Sequence, residues 1–440
     1  MARSPRPLPT GRRYASLLGL SWALCLLAGG ACGRDEGPQL REWRLPATDS
    51  YPVVGHVSAI AEGPGGEIWF ATQKNGASRY ASGLWRNLGK TDGIPDDVLH
   101  SVLPARDGSV WFGSSRGVVR WLRDEQGEHE HFTSYTTGEV ALLPSDDIRL
   151  LYQRPGGDET IWFGTSTRGL ASYHPRDGWR GYVIDPQGRR GPRSGVIRAI
   201  SEGPEGSLWI GSNDGIAVLR PGGGQAEVGA TADWSELRHD DPVLRSDRLL
   251  GNEIRHIQVG PGDGSIWVAT SYGLSRYDVG RRTFQSLPPI GVVNALLPVS
   301  DAARQTTRVW IGSLQLNGIA FEPESGAWQH QTPGGEFSSQ QINAMARDRD
   351  GTLWFGTNKG LWALSSEPAE PTTAASAAPE AKPDAKPEAK PAAPPAAASA
   401  PAGSTEGSAK TGGTWRRIDS EGAQPVVLSL LRTRSGDLWV

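Results

Sequence analysis

The sequence predicts an all-β chain folded as a β-propeller of four-stranded blades, because one short motif recurs at nearly regular spacing. The complete copies are Ile-Trp-Phe-Ala-Thr at 68–72, Val-Trp-Phe-Gly-Ser at 110–114, Ile-Trp-Phe-Gly-Thr at 161–165, Leu-Trp-Ile-Gly-Ser at 208–212, Ile-Trp-Val-Ala-Thr at 266–270, Val-Trp-Ile-Gly-Ser at 309–313 and Leu-Trp-Phe-Gly-Thr at 353–357. Their tryptophans lie 42, 51, 47, 58, 43 and 44 residues apart. A period in the forties with short, β-branched and aromatic segments is typical of propeller blades.

Each repeat predicts the same four strands. An apolar-alternating strand, such as the one that begins at Ile342, is followed by an Asp-Gly turn that supplies the positive φ of a tight hairpin. The Trp strand comes next, and a polar loop ending in Gly leads to a third strand. A fourth strand commonly opens with an aromatic residue, such as Trp85 or Trp328. We expect each repeat tryptophan to pack as a large apolar plate between neighbouring blades.

A shorter copy of the motif, Leu438-Trp439-Val440, indicates one further blade. The prediction is eight blades with the last incomplete at Val440, and seven blades is the alternative. The segment around Trp43 has the pattern of a fourth strand with no blade before it. Such a strand can pair into the last blade and close the ring, which removes an open sheet edge.

Composition separates targeting, linking and folded parts of the chain. Residues 365–413 are rich in Ala, Pro and Lys and contain no aromatic residue, so this insertion is predicted to be disordered. The spacing of Trp354 and Trp415 places it between strands three and four of one blade. The predicted boundaries are 1–31 for a lipoprotein-type signal peptide, 32–40 for a tether, 41–364 for blades one to seven, 365–413 for the insertion, and 414–440 for the end of blade seven and the partial last blade.

The first residues have the features of an export signal. Several arginines precede an apolar run at 17–27, which is too short to be read first as a membrane-spanning helix. Gly29-Gly30-Ala31-Cys32 resembles a bacterial lipoprotein processing site, with Cys32 as the lipid attachment residue. We therefore expect a cell-envelope protein, periplasmic or associated with the outer membrane and anchored by lipid. Cleavage after Ala31 and secretion is the alternative.

The repeated pattern Ile-x-x-Ile, Asp-Gly-x-Leu-Trp-x-Gly-Thr and Gly-Leu-x-x-Tyr resembles the two-component regulator propeller repeat of bacterial periplasmic sensor regions. The resemblance covers roughly residues 43–364 and 414–440. It implies a ring of blades that binds something outside the cytoplasm, with a histidine kinase among the expected partners.

Candidate ligand-binding residues lie in the loops that follow the Trp strands, because propellers commonly bind ligands with loops at one end of the channel. Arg, Lys, Asn and Tyr in such loops can hydrogen-bond a sugar or hold an anionic group, although turns are polar for conformational reasons as well. The candidates are Lys74, Arg116, Arg168, Asn213, Tyr272, Gln315, Asn317, Asn358 and Lys359.

No catalytic pattern accompanies these loops. The chain has no Gly-x-Ser-x-Gly elbow, no phosphate-binding glycine loop and no His-Glu-x-x-His, so no catalytic residue, metal or cofactor is predicted. A formal net charge of −3 argues against nucleic acid as a partner. The first hypothesis is a sensory lipoprotein that binds an extracytoplasmic small molecule or glycan. The alternatives are an envelope protein-docking scaffold and an enzyme similar to the streptogramin lyases, which are metal-assisted propellers.

Overall fold

The computed structural model describes residues 56–124, 130–182, 184–188, 190–220, 234–239, 249–261, 264–301, 306–313, 319–330, 341–349, 351–366, 413–418 and 426–440. These residues all belong to one unit of the chain, 45–440. The predictions for the signal peptide, Cys32, the tether and the Trp43 strand fall outside the described residues. The 365–413 insertion also falls outside them, apart from its outermost residues.

Four-stranded antiparallel meanders form the blades, each with its strands in chain order. Blade one contains β1 (Val57–Glu62), β2 (Ile68–Thr72), β3 (Ala77–Ala81) and β4 (Leu84–Leu88), and a 3-10 turn (Lys90–Asp92) follows. Blade two contains β5 (Leu99–Pro104), β6 (Val110–Ser114), β7 (Gly117–Arg123) and β8 (Glu130–Tyr135). Blade three contains β9 (Ile148–Gln153), β10 (Ile161–Thr165), β11 (Leu170–His174) and β12 (Gly178–Tyr182). Blade four contains β13 (Ile197–Glu202), a 3-10 turn (Pro204–Gly206), β14 (Leu208–Ser212), β15 (Gly215–Leu219) and β16 (Trp234–Leu237).

The second half of the chain continues the same meander. Blade five contains β17 (Ile254–Val259), β18 (Ile266–Thr270), β19 (Leu274–Asp278) and β20 (Thr283–Ser286). Blade six contains β21 (Val293–Asp301), β22 (Thr306–Ser313), β23 (Ile319–Glu322) and β24 (Ala327–His330). Blade seven contains β25 (Ile342–Arg347), β26 (Leu353–Thr357), β27 (Gly360–Ser366) and β28 (Gly413–Ile418). A two-stranded sheet, β29 (Leu431–Arg432) and β30 (Leu438–Trp439), ends the described chain.

The repeat tryptophans pack between blades, which confirms the role predicted for them. Trp69 of blade one is fully buried and meets the ring of Phe112 in blade two at 5.6 Å. Trp310 of blade six meets Phe355 of blade seven in the same edge-on way, at 5.4 Å. A four-stranded sheet cannot bury both of its faces alone, so these aromatic contacts between neighbours supply the core of the ring.

The small residue of the motif explains how closely the blades approach. A Cβ atom at Gly211 would lie 2.5 Å from Cγ2 of Ile254, the first residue of the next blade. A Cβ at Gly164 would lie 2.9 Å from the equivalent atom of Ile197. These two joints therefore need Gly at this position of the motif, because the next blade starts where a Cβ atom would lie.

The last sheet packs against blade seven at the equivalent glycine of the motif, Gly356. A Cβ at Gly356 would lie 2.4 Å from Cγ1 of Val427, and the Val427 amide donates to the Thr357 carbonyl at 2.8 Å. On its other side, Trp439 meets Phe70 of blade one at 5.7 Å and Tyr80 at 5.0 Å. The described chain thus forms an all-β propeller with seven complete four-stranded blades, the count given above as the alternative. The two-stranded sheet occupies the place expected for the incomplete last blade.

Strand β28 pairs with β27 through residues Leu361 to Ser366 and Gly413 to Ile418. The chain between them, 367–412, therefore joins two adjacent strands of one blade. In the described part of the chain, we find no helix with the length and apolar character that crossing a bilayer requires.

Candidate functional site at the channel mouth

The first strand of every complete blade lies on the inside of the ring. These strands contact one another in succession, from β1 with β5 to β21 with β25, and β29 contacts both β25 and β1. Each inner strand has a register shift at its second residue, which leaves that residue outside the antiparallel ladder. The residues at this position, called the bulge ring here, are Ser58, His100, Arg149, Arg198, Arg255, Asn294 and Asn343.

A cavity of about 530 Å³ opens beside part of the bulge ring. Polar side chains from four successive blades line it, together with a few apolar residues. We call it the channel mouth, and its lining residues are Arg149, Leu150, Ser166, Val196, Ile197, Arg198, Asn213, Arg255, His256 and Asn294. Its volume is within the range of about 300–1,000 Å³ that is usual for small-molecule sites.

Arg198 and Arg255 share one carboxylate at the mouth. Glu253 Oε1 lies 3.8 Å from Nη2 of Arg198 and 3.5 Å from Nη1 of Arg255. The Nε of Arg198 also donates to Oδ1 of Asn213 at 2.6 Å. Two guanidinium groups are thus held near a single negative charge. Five N–H donors are available on each guanidinium, so these contacts leave donors for a ligand.

Arg149 is held by a second carboxylate. Its Nε lies 2.8 Å from Oδ1 of Asp147, and its Nη2 donates to Oδ2 of the same residue at 3.2 Å. The hydroxyl of Ser166 also donates to the Asp147 carboxylate. Burial by itself raises the pKa of Asp147, but hydrogen bonds from Ser166 and Arg149 and the charge of Arg149 outweigh it, so the pKa is lowered. Asp147 therefore remains ionised and fixes the direction of Arg149.

Two histidines beside these arginines are held neutral near pH 7. Burial lowers the pKa of His100, and the charge of Arg149 lowers it further, against opposing effects of Asp147 and Asp96. Partial desolvation within the channel lowers the pKa of His256; a hydrogen bond to the Asn294 backbone raises it and the charge of Arg255 lowers it. The positive charge at the mouth therefore comes from the arginines.

The bulge ring serves a different purpose in blades seven and one. Nδ2 of Asn343 donates to the Val427 carbonyl at 2.9 Å, and Gln341 donates to Oδ1 of Asn343 at 2.9 Å. The hydroxyl of Ser58 donates to the Leu99 carbonyl at 2.7 Å. Val427 and Leu99 begin the inner segments of the following sheets, so these short side chains fasten one sheet to the next.

The structure places the predicted ligand-binding residues of the loops in different surroundings. Asn213 lines the channel mouth and orients Arg198. Oδ1 of Asn358 accepts a hydrogen bond from the backbone N–H of Gln341 at 3.0 Å, and this bond connects the end of β26 to the start of β25 within blade seven. The other described candidates lie in the turns after the Trp strands and are not among the lining residues: Lys74, Arg116, Arg168, Tyr272 and Lys359. Gln315 and Asn317 lie outside the described residues.

Sequence reasoning missed the arginines of the bulge ring. A signal was present, because a polar residue follows the first apolar residue of the inner strand in each of the seven blades, as in Ile148-Arg149 and Ile254-Arg255. In a regular strand, that residue would pair with the neighbouring strand as every other residue of the strand does. Only the bulge releases it from pairing and brings successive copies to one end of the channel.

Other charged groups form structural clusters. Glu130 in β8 pairs with Arg79 of blade one at 2.6 Å and with Arg123 at 3.2 Å. Burial alone raises the pKa of Glu130, but hydrogen bonds and charge from Arg79 and its neighbours outweigh it and lower the pKa. Within the described ranges, no three His, Cys, Asp or Glu residues are grouped so that they could hold a metal ion.

Comparison with known proteins identifies the repeat and the fold. The model of the family described as two component regulator propeller matches residues 336–359. No curated protein gives a significant match to the sequence. Among solved structures, the extracellular domain of a protein from B. thetaiotaomicron described as a hybrid two component system has a TM-score of 0.50 and 17% identity, covering 69% of this chain and 39% of that one.

Two further structures show similar but weaker agreement. The extracellular domain of a one component system from B. thetaiotaomicron has a TM-score of 0.46 and 18% identity, covering 70% of this chain and 47% of that chain. Virginiamycin B lyase from Staphylococcus aureus has a TM-score of 0.43 and 13% identity, covering 69% of this chain and 92% of the lyase. This chain thus spans less than half the length of either B. thetaiotaomicron domain. Residues 336–359 thus match the two-component regulator propeller repeat, and the described chain folds as a β-propeller.

Proposed function

We propose that this protein is an extracytoplasmic sensory propeller that binds a small molecule or glycan at the channel mouth. The observation that carries the proposal is the bulge ring, which places polar side chains from successive blades around one cavity of sugar size. The similarity in fold to an extracellular domain of a two-component system supports a sensory role outside the cytoplasm.

The site can be tested by filling it without changing its charge. Val196 lines the mouth, and Val196→Trp places an indole there. Val259, an exposed residue at the far end of the inner strand of blade five, provides the matched control Val259→Trp. We expect ligands from a panel of neutral and acidic envelope sugars to raise the melting temperature of the wild type and the control, but not of Val196→Trp. Equal responses of all three proteins would contradict a site at the mouth.

The proposed connection to signalling rests on the repeat. A histidine kinase or another envelope protein would read the ligand-bound propeller, and cross-linking in intact cells with and without ligand would identify it. A partner captured equally by the wild type and by Val196→Trp, with no ligand response in either, would instead favour the docking scaffold.

We also propose that lipid on Cys32 anchors the protein in the envelope, since Gly29-Gly30-Ala31-Cys32 has the pattern of a lipoprotein processing site. Metabolic labelling with an alkyne fatty acid should label the wild type and fail to label Cys32→Ala. Release of an unlabelled wild-type protein into the medium would support the secreted alternative.

A further inference from the structure

The strongest electrostatic feature of the channel is the arginine sector, defined as Arg149, Arg198 and Arg255 at the bulge position of blades three, four and five. These residues line one cavity and come from three consecutive blades. Two carboxylates, Asp147 and Glu253, contact them. Three guanidinium groups and two carboxylates leave one positive charge at the mouth.

The arginines are held in place before any ligand arrives. Nε of Arg198 is fixed by Asn213 at 2.6 Å, and two nitrogens of Arg149 are fixed by Asp147. Their side chains remain between 31% and 50% exposed, so the guanidinium groups are accessible from the cavity. Partial burial strengthens their attraction for an anion relative to open solvent, and prior orientation reduces the entropy that binding costs.

The chemistry of the guanidinium group defines what such a site holds. Its planar fork matches the oxygens of a carboxylate, sulfate or phosphate group and donates two parallel hydrogen bonds to them. In Arg255, the contact with Glu253 uses Nη1, and no other ion pair of Arg255 lies within the described residues. Asn213 and Asn294 add amide groups to the same cavity, which suit the hydroxyl groups of a sugar.

We propose that the channel mouth selects an anionic small molecule of sugar size, whose acidic group is bound by Arg198 and Arg255 and approached by Arg149. This inference rests on the proposed function, since it names the chemical class of ligand for the same cavity. Neutral sugars of the same size should bind much more weakly, because they carry no negative charge to form charge-assisted hydrogen bonds with the arginines.

The test is a calorimetric titration of the full-length protein with three matched probes: glucose, glucuronate and glucose 6-phosphate. We expect both acidic probes to bind and glucose to bind at least about ten-fold more weakly. The two acidic arms distinguish a carboxylate from a phosphate as the preferred group. Affinity for the anions should fall as sodium chloride is raised, because salt screens the interaction.

Variants separate the site from general charge effects. Arg198→Ala should weaken binding of the acidic probe about ten-fold or more, and Arg198→Lys should lose less because it retains the charge but not the fork. Arg281→Ala is the matched control, since Arg281 is 84% exposed in the same blade as Arg255 and outside the cavity. Unchanged melting temperatures would show that the variants remain folded.

Three outcomes would overturn the inference. Glucose could bind as tightly as the acidic probes, Arg281→Ala could lose as much affinity as Arg198→Ala, or neither acidic probe could bind at millimolar concentration. If only neutral sugars bind, and Val196→Trp abolishes their binding, the anionic inference fails while the proposed binding function stands. If Val196→Trp changes nothing for any ligand, the proposed function fails as well.

Discussion

The bulge ring has two sectors, and the side chain at the same backbone position serves a different purpose in each. In the arginine sector, long side chains extend past the inner strands and line the channel mouth. In the joint sector, which we define as Asn343 and Ser58, short side chains donate to the carbonyls of Val427 and Leu99 and fasten neighbouring sheets. A short side chain at the bulge reaches only the adjacent backbone, whereas an arginine reaches beyond it. The same repeat can therefore provide stability on one side of the ring and a binding surface on the other.

The largest expected loss of stability comes from overpacking the contact between blades that lies next to each sector. Gly211→Ala and Gly312→Ala each place a Cβ within 3.0 Å of the next inner strand, at Ile254 and Ile342. Overpacking of this kind costs about 1–3 kcal/mol, so both variants should unfold earlier in chemical denaturation. Because Ile254 precedes Arg255, only Gly211→Ala should also weaken binding of an acidic probe. Equal loss of affinity in both variants would mean that the sectors are not independent.

A smaller loss of stability is expected from the joint sector alone. Asn343→Ala removes the donor to the Val427 carbonyl, and we expect a cost of about 0.5–1.5 kcal/mol, the usual net contribution of one hydrogen bond. Hydrogen–deuterium exchange should quicken around 426–432, while affinity for the acidic probe stays at the wild-type value. Arg198→Ala should show the reverse pattern, with binding lost and exchange in this segment unchanged.

An additional arginine at the bulge position of the next blade should strengthen the binding of an anion. Asn294 occupies the bulge position of blade six and lines the mouth beside His256. Asn294→Arg would add a fourth guanidinium group, and we expect affinity for the acidic probe to rise about three- to ten-fold in the titration. Ser58→Arg, on the joint side of the ring, is the comparison variant. A rise in affinity for Ser58→Arg of the same size would contradict the division into sectors.

The smallest expected effect concerns Asp147 and depends on pH. The pKa of Asp147 is lower in the folded protein than its ordinary value of 3.8, so its ion pair with Arg149 stabilises the fold above about pH 4 and is lost as the pH falls through the lowered pKa. Since the partners are 29% and 50% exposed, the contribution should be under about 1 kcal/mol. Asp147→Asn should therefore show a flatter loss of stability below pH 4 in thermal unfolding. It should also bind the acidic probe more tightly at pH 7, because removal of one carboxylate raises the net positive charge at the mouth and this gain exceeds the loss of orientation of Arg149.

Much of the fold could be predicted because it follows from local repetition. The spacing of Trp69, Trp111 and the later copies gives the blades, and the aromatic plates sit between blades because a sheet with two apolar faces must be covered on both. The Gly or Ala of the motif could be read as part of a strand, but its contact with the next blade could not. That contact joins Gly211 and Ile254, which are far apart in the chain.

The site illustrates the limit of sequence reasoning. Polarity and recurrence point to the loops after the Trp strands, and of the candidate residues in those loops the cavity includes Asn213. The arginines of the inner strands looked like ordinary strand residues, since a bulge depends on how two strands register and leaves little trace in composition.

The sequence by itself determined the class of fold, the repeat and the number of residues between blades, because each depends on short-range patterns. Tertiary structure decided which polar residues meet. The curvature of the ring brings Arg149, Arg198 and Arg255 from blades three to five to a single cavity, although about fifty residues of chain separate each from the next. Convergence of this kind arises from blade stacking, and no local pattern encodes it.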